Sequence, residues 1–238
     1  GLSFTDVEAA FVLFTAKDTE TTYAGTTWTS LQARAAAIEI LGTGEGLSMS
    51  STNFAVDLNF VAGAPGDADQ SVVDYTQSAV SIPTGIDRME FVIDGALGQL
   101  VRVQGQVEII IDGFLELSGG VGFESSTRTV TLSDTGDTLS AETLLFGGSD
   151  LTGFVGIRDS ENDPAMGLAL TDVDLGLALF TGEVDGVQKK WLSVKTSVGG
   201  AELVGLDTDA GFEASIANVV VALNLTLTEG ESRVVDFT

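Results

Sequence analysis

Hydrophobic and polar residues alternate along most of this chain with a period of two. Val101 to Ile111, VRVQGQVEIII, alternates almost to its end. Phe114 to Phe123, FLELSGGVGF, alternates around a Gly pair. Ala55 to Phe60 and Val221 to Leu227 behave likewise, and Thr127 to Leu132 is rich in Thr and Val. Period two with β-branched and aromatic residues predicts strands with one face toward a core. Leu31 to Leu41, LQARAAAIEIL, is Ala-rich and pulls toward helix, because Ala is the best helix former. The matching stretch Val194 to Val204, VKTSVGGAELV, carries β-branched residues and a Gly pair, so both are expected as strands.

That match belongs to a larger repeat. Gly1 to Thr15, GLSFTDVEAAFVLFT, returns as Gly167 to Thr181, GLALTDVDLGLALFT, with eight of fifteen positions identical at an offset of 166 (167 − 1). Trp28 matches Trp191, Asn53 matches Asn218, Asn59 matches Asn224, and VVDYT ending at Thr76 matches VVDFT ending at Thr238. The chain therefore reads as block A (1–76), block B (77–166) and a second copy of block A (167–238), the start of a next repeat. Repeats of this length point to an architecture assembled from units. Within the strands, Thr5-Asp6-Val7 and Thr171-Asp172-Val173, and the sites around Asn53 and Asn218, are expected to be bends. Gly and Asp clusters between strands supply the turns.

The expected fold is all-β. An elongated, stacked β-repeat of β-solenoid type is preferred, with tandem antiparallel β-sandwiches as the alternative. The preference comes from the truncated second copy, which would leave an open end that invites stacking.

Composition narrows the function. There are 10 basic and 35 acidic residues, giving a net charge of −25. Nucleic acid is excluded as a partner, since phosphates demand a basic footprint. Such self-repulsion calls for salt or bound cations, as in an extracellular medium. Cysteine and histidine are both absent, which removes disulfides, thiol nucleophiles, the commonest general base and the commonest transition-metal ligand. No apolar run is long enough for a membrane-spanning helix. The chain opens on the repeat boundary without Met, as expected of a mature product or a segment of something longer.

Candidate chemistry is sparse. Asp159, Glu161 and Asp163, in DSEND, alternate in a way that can converge on one hard cation, so calcium is the candidate ion. Pro164 stands where a calcium loop of the EF-hand type needs Gly, so the plain acidic turn is the competing reading. Trp28 and Trp191 read as core or interface anchors, with a sugar-stacking platform as the alternative. Asp6 and Asp172 recur at matched places, which suggests a geometric task at a bend. Arg158 beside Asp159 is where an acid-plus-arginine lyase would be sought.

The segments GLALTDVDLGLALFT, KKWLSVKTSVGGAELVGL, IDGFLELSGGVGFE and TLLFGGSDLTGFVGI resemble the tandem repeats of very large bacterial surface or secreted proteins, often labelled calcium-binding or adhesin-like. The nonapeptide calcium repeat GGxGxDxUx is absent. The resemblance implies an extracellular, cell-surface, load-bearing or adhesive role and brings no catalytic residues. The expectation is a non-enzymatic structural repeat module of an extracellular filament, sheath or adhesive stalk, joined end to end with copies of itself. The alternatives are a calcium-dependent adhesin that binds cell-surface glycans and a polysaccharide-degrading β-helix enzyme.

Overall fold

The computed structural model describes residues 1–17, 19, 23–42, 46–63, 71–133, 136–157, 166–205 and 214–237. The strands are β1 (Leu2–Thr15), β2 (Thr27–Ile40), β3 (Leu47–Ala62), β4 (Ser81–Thr84), β5 (Asp87–Glu90), β6 (Leu100–Ile111), β7 (Leu115–Leu132), β8 (Thr138–Ile157), β9 (Met166–Val184), β10 (Val187–Val204), β11 (Ser215–Thr226) and β12 (Val235–Asp236). The all-β class holds, and the only described helical element is a 3₁₀ turn at Gly95–Leu97. No described helix is long and apolar enough to cross a membrane. The Ala-rich stretch that pulled toward helix lies in β2, where pairing with β1 and β3 overrides local propensity.

Nine of these strands form one open sheet in the order β1-β2-β3-β6-β7-β8-β9-β10-β11, and β12 pairs with β7. Every pairing is antiparallel. The short hairpin β4–β5 is a separate two-stranded sheet packed against β1 through Ile82 and Met89. The long hairpin β9–β10 turns at Asp185-Gly186, both with positive φ (53° and 76°), the arrangement that matches the twist of the flanking strands.

Side-chain alternation divides the sheet into two unlike faces. One row across all nine strands runs Phe11, Leu31, Leu58, Val101, Ser125, Leu144, Leu179, Leu192 and Leu225. The neighbouring row, on the opposite face, contains Val12, Ser30, Asn59, Leu100, Ser126, Thr143, Phe180, Trp191 and Thr226. The second row is the covered one. After β3 the chain returns across it as a strap that includes Val73 and Tyr75. It buries Ala10, Val12, Phe91, Ile93 and Leu100. Near the other edge, Val235 of β12 does the same with Leu132, Ala141, Phe180 and Trp191. The apolar row stays bare at both edges and in between, with Phe11 57%, Leu144 38% and Leu225 45% exposed.

The expected bends are present. Asp6, Asn53, Asp172 and Asn218 have left-handed backbone, with φ of 48°, 52°, 51° and 54°. Asp6 and Asn53 lie level with Ala36 of β2, and Asp172 and Asn218 lie level with Gly199 of β10. At each bend the apolar period slips by one: Phe4 is followed by Val7, and Leu170 by Val173. The left-handed residue absorbs the extra step, which keeps the apolar positions on one face. Asp and Asn tolerate this conformation better than other residues with a Cβ. Asn53→Val is therefore expected to cost about 1–2 kcal/mol, the penalty for a bulky left-handed residue. Asn53→Gly should stay close to wild type, and urea unfolding of both variants checks the contrast.

Candidate functional site

The repeat is built around a clamp that appears twice. In the first copy, Trp28 Nε1 donates to the Ser71 carbonyl at 2.9 Å. Ser30 Oγ donates to Asn59 Oδ1 at 2.9 Å, and Asn59 Nδ2 donates to the Val73 carbonyl at 2.9 Å. In the second copy, Trp191 Nε1 donates to the Arg233 carbonyl at 2.9 Å. Ser193 Oγ donates to Asn224 Oδ1 at 2.9 Å, and Asn224 Nδ2 donates to the Val235 carbonyl at 2.8 Å. Each clamp ties the returning strap to the middle and last strands of block A. An Asn amide suits this task because it accepts and donates at once.

The copies differ at the end of the strap. Tyr75 is buried and its hydroxyl donates to Ser30 Oγ at 2.7 Å. Phe91 lies against it, with ring centroids 5.0 Å apart. The matched residue Phe237 has no hydroxyl and is 65% exposed, touching Phe180 at a centroid distance of 6.2 Å.

Charged groups cross the strap-bearing face in a line. Arg34 contacts Asp57 at 2.8 Å, Arg102 approaches Asp57 at 3.8 Å and Glu124 at 2.7 Å, and Arg128 contacts Glu124 at 2.6 Å. Gln32 Nε2 also donates to Asp57. Burial pushes the Glu124 carboxyl up, but bonds from Arg128, Arg102 and Ser126 together outweigh it and hold the group below its ordinary value. The line pairs three arginines with two carboxylates across β2, β3, β6 and β7. It lies in a sheet interior, not a deep cleft, and reads as a cross-strand brace.

Near the C-terminal strap, Arg233 holds the Glu231 carboxyl at a pKa of about 2, mainly through its side-chain hydrogen bonds.

Among the described residues, no three acidic side chains converge on a common point. Asp159, Glu161 and Asp163, together with Arg158, lie outside the described residues. Trp191 is fully buried and is a core anchor, whereas Trp28 is half-buried with Tyr23 beside it at a centroid distance of 5.8 Å; the indole N–H of each donates to a strap carbonyl. At matched positions near the bend, Asp174 accepts from the Asp150 backbone N–H at 3.2 Å and Glu8 accepts from the Thr84 hydroxyl at 3.1 Å.

What sequence reasoning missed is the pairing of Ser30 and Ser193 with the repeated asparagines. The signal was available, because Asn59 and Asn224 sit at apolar-flanked strand positions in both copies. A shallow apolar space of about 600 Å³ at the β9–β11 end is lined by residues such as Leu177, Val194, Leu223 and Phe237. No protein-family description, curated protein or solved structure matches this chain.

Asn59→Ala strands a buried Ser30 hydroxyl and the Val73 carbonyl, and should cost about 1–3 kcal/mol. Asn224 is solvent-exposed, so Asn224→Ala should cost less than about 1 kcal/mol by chemical denaturation. The lowered Glu231 pKa stabilises the fold fully above its ordinary value of 4.5, and this contribution is lost as pH falls through about 2. The melting-temperature gap between wild type and Glu231→Gln should therefore be constant above pH 4.5 and close on acidification.

Proposed function

We propose that this chain is a structural repeat module of an extracellular filament, sheath or adhesive stalk, in which one β-sheet grows by whole repeats. The carrying observation is the position of the second copy. β9, β10 and β11 enter the same sheet as β1, β2 and β3, with the same left-handed bends and the same clamp. One period is β1, β2, β3, β6, β7 and β8. Six is even, so β9 runs in the direction of β1 and an antiparallel sheet can continue without a fault.

This arithmetic also favours one route of growth. The sheet here has nine strands in its path, so both edge strands run the same way. Laying two copies side by side would pair β11 with β1 in parallel, a misfit in an otherwise antiparallel sheet. Inserting the three strands β6–β8 removes the misfit. The elongated, stacked β-repeat is thus read as a tandem array in which each period lengthens the sheet. The uncovered apolar row supports an assembled role, because contiguous apolar surface of this extent marks association. The charge of −25 keeps such a surface soluble and favours a salt- or calcium-bearing outside medium.

Chains carrying one, two and three full periods test the reading. With six strands at ~4.8 Å spacing, each period should add about 29 Å to the particle length in solution scattering or electron micrographs. Compact particles that grow equally in all directions, or separate beads on a string, would reject it.

A further inference from the structure

The open edge of β11 has an interior twin. β11 corresponds to β3 at an offset of 165 (218 − 53 and 224 − 59). β3 holds β6 on the side where, among the described residues, β11 has no partner strand. A second, independent difference points the same way. Tyr75 is 1% exposed beneath Phe91, whereas its twin Phe237 is 65% exposed. In the first copy, the missing strand and the missing cover both come from one stretch, residues 77–111.

We propose that the outer edge of β11 and the Phe237 ring together form a docking site for a block B polypeptide, whose β6-type strand pairs antiparallel with Val103 opposite Val221. The inference rests on the proposed growth by periods and names what the growing edge accepts. The register is carried over from the interior twin, where Val56 faces Val103, Leu58 faces Val101 and Asn59 faces Leu100. Adding 165 gives Val221, Leu223 and Asn224. A second folded copy cannot offer its own β6, which is already paired on both sides. Among the residues facing β6, Ser51, Thr52, Ala55 and Asp57 become Ile216, Ala217, Val220 and Ala222 in the twin. Asp57, which faces Arg102, is replaced by Ala222, so the dock rests on backbone bonds and apolar contact.

The chain contains no cysteine, so introduced thiols stand alone. Val221 is 45% exposed, and Val221→Cys should leave the fold intact. A synthetic peptide of residues 77–113 bearing Val103→Cys is mixed with the full chain bearing Val221→Cys under mild oxidation. The disulfide should form at least about tenfold faster than with Val219→Cys on the same strand or Val7→Cys on the β1 edge. Equal rates at all three positions, no cross-link at Val221, or preference for the β1 edge would overturn the dock. If tandem chains lengthen as proposed while the peptide fails, only the dock falls. If tandem chains stay compact, the filament reading falls whatever the peptide does.

Discussion

An antiparallel meander that does not close must end in two unpaired edges, and this chain ends in edges that repeat its own interior. That constraint governs the rest of the molecule. An exposed edge is ordinarily blunted by Pro, by inward-pointing charge or by a covering segment. β11 reads SIANVVVALNLT, with neither Pro nor charge in its length. An edge left in this condition resembles a surface prepared for another strand, and its interior counterpart β3 has that strand in place. Direction is the second half of the constraint, since an even number of strands per period lets the ladder continue without a parallel joint.

The two faces divide the remaining work. The strap-bearing face carries nearly all of the buried polar groups, and four of them have a clear task. Ser30 and Asn59 hold the strap, while Gln32 and Asp57 connect to the arginine line. Buried polar groups of this kind are tolerated because their partners are fixed by the sheet register. The other face is built of Leu, Val and Phe and has no strap. The left-handed bends keep that face continuous where a simple alternation would have turned it over. Sequence, bend and face are therefore one argument: Asp or Asn at a fixed level in β1, β3, β9 and β11 keeps Phe4 with Val7 and Leu170 with Val173.

Much of this was legible in the residues. Period-two alternation identified the strands, and comparison of the two copies settled the Ala-rich stretch 31–41 in favour of β2. The matched TDV and Asn positions gave the bends because only Gly, Asn and Asp visit that backbone region cheaply. The order of strands within a single sheet was less accessible. Neighbour relations such as β3 with β6 depend on contacts across the 77–99 excursion, and no local pattern encodes them. The role of the tryptophans was only half visible, since an aromatic at a strand start suits an anchor and a platform equally until the Ser71 and Arg233 carbonyls are placed beside them. The acidic stretch 159–163 advertises cation chemistry through spacing alone, and spacing does not fix where carboxylates point.

The second copy of block A continues the same ladder as the first, across the joint between β8 and β9. Nuclear Overhauser contacts across that joint test it most directly. Leu144 should show contacts to Leu179, and Phe146 to Leu177, as strong as those between Leu58 and Val101 inside the first period. Absence of the β8–β9 contacts alongside intact contacts within each copy would mean two separately folded units, and the account of a single growing sheet would be wrong.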